Sequence, residues 1–212
     1  MKDPARRRVV AGGLAALVLP RLSAAPLDDV LAEGAALPAL RAVLVARDGV
    51  TVAERYYGDA RPDALRRVNS ATKSIVSLLV GQALAQGKLP GLSHRVAQLL
   101  PEVAGEAPES PGASVTLRQI LTGTTGLAYD FMRDMRALTG APDPLQYVLG
   151  LPRSPAPAGA WSYNDAAISL LTPILERACG LKLPEIARQG LFAPLGIETF
   201  RWGTDRSGQT PA

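Results

Sequence analysis

Two kinds of apolar spacing in the N-terminal part of the chain predict a helix followed by a pair of strands. Residues 27–35 repeat apolar positions at helical spacing, which predicts a short helix. Residues 40–46 and 50–57 are runs rich in apolar and β-branched residues, a pattern typical of strands. Asp48-Gly49 lies between the two runs and favours a tight turn, so the strands are predicted to form a hairpin.

Helical spacing dominates the remainder of the chain. A longer helix is predicted from Ser70 to about Gly87, because apolar residues recur on one face between them. Further helices are predicted at residues 96–100, 115–121, 143–149 and 165–178, with loops at 101–113 and 122–130. Thr116 is the expected cap of one helix, and Pro173 is expected to kink the last. A small sheet with many helices predicts an α/β to α+β fold.

The start of the long helix carries the clearest chemical feature of the chain. Ser70 and Lys73 are three positions apart, so their side chains share one helix face. A lysine desolvated among apolar neighbours can lose its proton near neutral pH and activate a serine nucleophile. The helix N-terminus, including the Ser70 backbone N–H, would stabilise an oxyanion. This arrangement predicts an acyl-transfer site, and the alternative is a serine N-cap with a solvated lysine.

Composition strengthens the first interpretation and excludes other function classes. Lys73 is one of four lysines in an arginine-rich chain, and none of the others has Ser or Thr three residues before it. Lysine, unlike arginine, can be deprotonated in a protein. With 47% hydrophobic residues the chain can bury a core, and no basic stripe indicates nucleic-acid binding. The single Cys179 and single His94 indicate neither a disulfide nor a metal site, and we expect no cofactor.

Residues 1–25 are predicted to be an export signal. Arginines at positions 6–8 precede the apolar residues 9–19, and small residues at 23–25 suit cleavage. The apolar run is too short for an ordinary transmembrane helix, and no cysteine is placed for a lipid anchor. The signal is twin-arginine-like or general secretory, so we expect a periplasmic or secreted protein without a stable membrane anchor.

Three segments together resemble a known enzyme family. They are residues 67–74 with the apolar helix that follows, residues 115–121 with 124–127, and residues 157–171 with 192–197. From about Leu27 to Trp202 the chain is similar to the beta-lactamase-related serine hydrolases, which include class C beta-lactamases, D-alanyl-D-alanine carboxypeptidases, esterases and 6-aminohexanoate-dimer hydrolases. The resemblance implies their fold, with a helical subdomain, over residues 26–212. Within it we expect divisions at 27–90, 91–160 and 161–212.

The resemblance also assigns roles to residues distant from Ser70. The second family element, Tyr-x-Asn, falls on Tyr163, which is expected to assist proton transfer between Ser70 and the leaving group. Asp165 stands where asparagine is usual, which makes beta-lactam binding less secure and favours the aminohexanoate-dimer hydrolase branch. Asp165 and Tyr129 are the expected substrate-binding residues. Without the resemblance, Asp165 would be interpreted as a helix N-cap.

The third family element, Lys or His followed by Ser or Thr and then Gly, is not found in the sequence. We therefore expect a fold truncated at its C-terminal side, with slow turnover and self-association through an open sheet edge. The predicted function is hydrolysis of a small-molecule ester or amide through a Ser70 acyl-enzyme. The alternative is a non-catalytic exported binding protein, or an inactive fragment, that keeps the pocket.

Overall fold

A computed structural model describes residues 27–105 and 107–204, which fall into two compact units that divide after Ala64. The predicted export signal lies outside the described residues and stays a prediction, as do the expected internal divisions. The described part of the first unit contains helix α1 (Leu27–Glu33) and strands β1 (Ala42–Arg47) and β2 (Val50–Tyr56). No described helix is both long and apolar enough to cross a bilayer.

Strands β1 and β2 form the predicted antiparallel hairpin, the one sheet in the described part of the chain. Asp48 and Gly49 have φ values of 51° and 77°, and two consecutive left-handed residues are what a type I′ hairpin turn requires. Exposed apolar side chains remain on this hairpin at Leu44, Val50 and Val52. Self-association through this unit is consistent with these side chains and stays a prediction.

The second unit is helical and holds every candidate site residue. Its helices are α2 (Thr72–Ala85), α3 (Val96–Leu99), α4 (Pro101–Ala104), α5 (Leu117–Thr122), α6 (Phe131–Gly140), α7 (Pro144–Leu149), α8 (Asp165–Ser169), α9 (Leu171–Cys179) and α10 (Leu183–Ala187). Helix α2 packs against α9 and α10 and buries Val76, Leu79, Val80 and Ala83. Burial of this face anchors the helix that carries Lys73.

The described helices differ from the sequence prediction in four places. Helix α4 lies in the predicted loop at 101–113, and α6 and α10 were not predicted. The helix predicted over 165–178 is two helices, α8 and α9, which meet at Leu170. Pro173 explains the break, because it has no N–H for the carbonyl of residue 169 and its ring clashes with that carbonyl. The small sheet and the helical unit otherwise confirm the predicted fold class.

Candidate active site

Ser70 lies in a 3-10 helical turn, Asn69–Ala71, that continues directly into α2. Its side chain is exposed, and Ser70 lies at the start of the helix, as the sequence predicted. Asn69, immediately before it, has a φ of 45°, in the left-handed region that residues other than glycine seldom occupy. This backbone conformation turns the chain sharply before Ser70 and presents the hydroxyl at the start of the helix.

We expect Asn69 to be replaceable by glycine but not by valine. Asn69→Gly keeps access to the left-handed region, whereas a β-branched side chain is strained there and should lower the free energy of unfolding by about 1–2 kcal/mol. Urea denaturation of the two variants checks the prediction, with the glycine variant as the matched control. Equal losses in both variants would contradict it, because they would assign the effect to the asparagine side chain.

Lys73 occupies the first turn of α2, with its side chain 20% exposed. Its Nζ donates a hydrogen bond to Ser70 Oγ at 3.4 Å and lies 2.6 Å from Asp165 Oδ1. Burial lowers the pKa of Lys73, but hydrogen bonds and charge interactions with Asp165 and Tyr163 together raise that pKa above its ordinary value. The carboxylate of Asp165 therefore favours the charged form of Lys73, and the predicted role of Lys73 as the base stays a prediction.

Tyr163 brings a second polar group to Ser70. The two side-chain oxygens are 2.8 Å apart and either can donate the hydrogen bond. Its segment is held by the backbone N–H of Ser162, which donates to the carbonyl of Gly123 at 2.8 Å. Gly123 has a φ of 69°, and a Cβ at this position would lie 2.7 Å from the Trp161 ring nitrogen. The close approach at Gly123 therefore helps to place Tyr163 beside the α2 N-terminus.

Asn164 takes the capping role that the sequence analysis considered for Asp165, and Asp165 faces Lys73. Asn164, only 3% exposed, caps α8 because its Oδ1 accepts from the Ala167 N–H at 2.8 Å. The prediction that Asp165 is the N-cap is therefore wrong. Asp165 is the first residue of α8, with a side chain 13% exposed that faces Lys73. The sequence alone could not predict the contact between Lys73 and Asp165, because 91 residues lie between them in the chain.

Tyr129 lies in the loop before α6 and is 7% exposed. Its hydroxyl is buried and has no hydrogen-bond partner among the described residues. Burial, followed by the charge of Asp165 and smaller contributions from other groups, raises the pKa of Tyr129 to about 12. Tyr129 is thus a buried phenol that stays neutral near neutral pH. Its predicted role in substrate binding stays a prediction.

A cleft of about 1140 Å³ opens beside Ser70 and Lys73. Its walls include Phe131, Phe200 and Trp202. Phe131 was not among the predicted site residues, yet its ring also meets the Tyr163 ring edge-on at 6.3 Å. The sequence did contain a signal for the helix that begins at Phe131, because Asp130 is a typical N-cap directly before an apolar residue. In the structure Asp130 caps α6.

Comparisons with known proteins identify the family of the chain. A beta-lactamase family model matches residues 27–212. The chain belongs to the beta-lactamase family. Esterase EstB from Burkholderia gladioli is 30% identical to it over 217 residues, which cover 92% of this chain and 53% of the esterase.

Solved structures of beta-lactamase relatives share the fold. A candidate 6-aminohexanoate-dimer hydrolase from Bacillus anthracis is similar with a TM-score of 0.70 at 17% identity, over 89% of this chain and 52% of that chain. The D-alanine carboxypeptidase AmpC from Burkholderia cenocepacia gives a TM-score of 0.58 at 22% identity, over 80% of this chain and 50% of the other. The chain thus spans about half the length of these relatives.

Proposed function

We propose that this protein is a serine hydrolase that cleaves esters through an acyl-enzyme on Ser70. The observation that carries the proposal is the contact set of the Ser70 hydroxyl. Its oxygen is 2.8 Å from the Tyr163 oxygen and 3.4 Å from Lys73 Nζ. A nucleophile with proton-transferring groups within hydrogen-bond reach is the arrangement that covalent catalysis needs. The family match supports the same chemistry.

The contacts suggest a two-step reaction. Ser70 Oγ attacks the carbonyl carbon while its proton passes to the neighbouring Tyr163 and Lys73 groups, and the leaving group departs with a proton. Water then attacks the acyl-enzyme, the same groups take a proton from it, and Ser70 is released. The Ser70 backbone N–H is the proposed first donor to the oxyanion. The second donor is not assigned to any described residue.

The character of Asp165 favours esters over amides and beta-lactams. An asparagine amide in this position could donate a hydrogen bond to a substrate carbonyl, whereas a carboxylate cannot. The Asp165 carboxylate also faces Lys73 at 2.6 Å and is largely buried, so it offers little to a substrate. An amide leaving group needs protonation more than an alkoxide or phenoxide does. A site short of donors should therefore turn over activated esters first. The name of esterase EstB agrees with this choice.

A panel of chromogenic substrates tests the proposed function. Purified protein should release nitrophenol from short-chain p-nitrophenyl esters, with little hydrolysis of nitrocefin or of the matching p-nitroanilides. The anilides carry the same acyl groups as the esters and are the matched control for the leaving group. Preferential cleavage of nitrocefin would contradict the ester assignment. Failure of all substrates, together with failure of a fluorophosphonate probe to label the protein, would favour a non-catalytic binding protein.

A further inference from the structure

The cleft beside the proposed nucleophile has one wall that is mainly aromatic. The ring centroid of Phe192 lies 4.5 Å from that of Phe200 and 6.4 Å from that of Trp202, so the three side chains form one cluster. Ile75 and Phe131 add further apolar surface to the lining. At about 1140 Å³, the cleft exceeds the roughly 300–1,000 Å³ of common small-molecule pockets. It therefore has room for an apolar chain next to the nucleophile.

Three arginines, Arg66, Arg67 and Arg201, are among the lining residues of the same cleft. Arg66 and Arg67 precede the turn at the start of α2, and Arg201 lies between two aromatic residues of the wall. All three are exposed, and none forms an ion pair with another described residue. No aspartate or glutamate is among the described residues that line the cleft. Lys73 also lines it but differs from the arginines, because Asp165 faces it at 2.6 Å.

An aromatic wall with uncompensated arginines beside it selects a particular kind of ligand. Arginine presents its N–H donors in a planar fork that matches a carboxylate or another oxyanion. Cations that line a concave surface with low-dielectric walls also raise the local concentration of anions. The aromatic side chains remove apolar ligand surface from water. A ligand that uses both features has an apolar body and an anionic end.

We propose that this cleft selects esters in which an apolar acyl chain ends in an anionic group, and that Arg66, Arg67 and Arg201 bind this group. The inference rests on the proposed function, because it names the class of ester that Ser70 attacks. The segment that leads into the Ser70 turn carries two of the three cations, which connects the anion site to the nucleophile. The same arginines disfavour an acyl chain that ends in an ammonium group, because like charges repel.

Three p-nitrophenyl esters with acyl chains of equal length test the selectivity. Mono-p-nitrophenyl adipate ends in a carboxylate, p-nitrophenyl hexanoate in a methyl group, and p-nitrophenyl 6-aminohexanoate in an ammonium group. After subtraction of uncatalysed hydrolysis, we expect kcat/KM for the adipate to exceed that for the hexanoate by about tenfold, with the aminohexanoate below both. Salt should reduce the preference, because the Debye length falls from about 10 Å at 0.1 M to about 3 Å at 1 M ionic strength.

Arginine variants assign the preference to the cleft. Arg66→Gln, Arg67→Gln and Arg201→Gln should each lower the ratio of kcat/KM for the adipate to kcat/KM for the hexanoate, and the triple variant should bring this ratio close to one. Arg118→Gln is the matched control, because Arg118 is exposed on α5 and does not line the cleft. Arg201→Glu should raise kcat/KM for the aminohexanoate relative to the hexanoate, a gain that misfolding cannot produce.

Binding to the Ser70→Ala variant separates this inference from the proposed function. The anilides of the same three acids are used as ligands, because they keep the acyl chains and need no nucleophile to bind. Trp202 lies in the cleft wall and is one of two tryptophans in the chain, so tryptophan fluorescence reports binding. We expect the adipate anilide to bind most tightly, and Arg201→Gln to weaken its binding.

Each outcome of these measurements decides the inference. If no ester is hydrolysed but the anilides bind in the expected order, the proposed function fails and the selectivity of the cleft stands. Equal hydrolysis and equal binding of the three compounds overturn the inference, as does a preference for the carboxylate that the triple arginine variant retains. Absence of any binding also overturns it, because the cleft is then not a ligand site.

Discussion

Replacement of Ser70 by alanine is expected to abolish covalent labelling and ester cleavage while leaving the fold intact. Ser70 is exposed, so its loss removes no packing, and its only described side-chain contacts are with Tyr163 and Lys73. Loss of the nucleophile in a serine protease lowers turnover by on the order of a millionfold, so activity here should fall to background. Intact-mass analysis after fluorophosphonate treatment should show one adduct on the wild-type chain and none on the variant.

Ser77→Ala is the matched control for this experiment. Ser77 is also exposed on α2, and its hydroxyl donates only to the carbonyl of Ser74 at 2.8 Å. The Ser77 variant should label at the wild-type rate and unfold at a similar urea concentration. An adduct that survives Ser70→Ala and maps by peptide sequencing to another residue would contradict the assignment of the nucleophile.

The sequence predicted those elements of the fold that are determined by a few neighbouring residues. The hairpin follows from Asp48-Gly49, whose left-handed φ values are set by residue type, and the cap of α5 follows from Thr116 and Gln119. Helix α6 was missed because only one of its ten residues, Leu138, is buried, so the apolar signal is weak. Its start depends instead on the Asp130 cap, a signal that spans only a few residues.

The structure brings together Ser70, Lys73 and Tyr163, which the sequence analysis had singled out, and their catalytic roles stay predictions. Ser70 and Lys73 are close in sequence, and their contact follows from helix geometry. Tyr163 was assigned through the family resemblance, because nothing local to it indicates an approach to Ser70. The protonation state of Lys73 depends on Asp165, which reaches it only after α8 has folded against the site. A lysine interpreted from its own helix alone is therefore considered without the carboxylate that faces it.

Lys73 and Tyr163 are expected to act as one proton-transfer unit, whichever of them carries the proton. Lys73 Nζ lies 5.4 Å from the centroid of the Tyr163 ring, and both groups contact the Ser70 oxygen. Lys73→Ala and Tyr163→Phe should each lower the rate of acylation by about a hundredfold to ten-thousandfold. The double variant should lose little more than either single variant, because groups that act as a unit are not additive.

A double-mutant cycle tests whether the two residues act as a unit. The rate of acylation by one activated ester is measured for all four proteins of the cycle. Lys88→Ala and Tyr147→Phe are matched controls, because they make the same chemical changes at residues that do not contact Ser70, and both should react at the wild-type rate. Multiplicative losses in the double variant would show that Lys73 and Tyr163 contribute independently. If Tyr163→Phe alone is silent while Lys73→Ala is not, the proton passes through Lys73, and the ion pair with Asp165 must open before Ser70 can react.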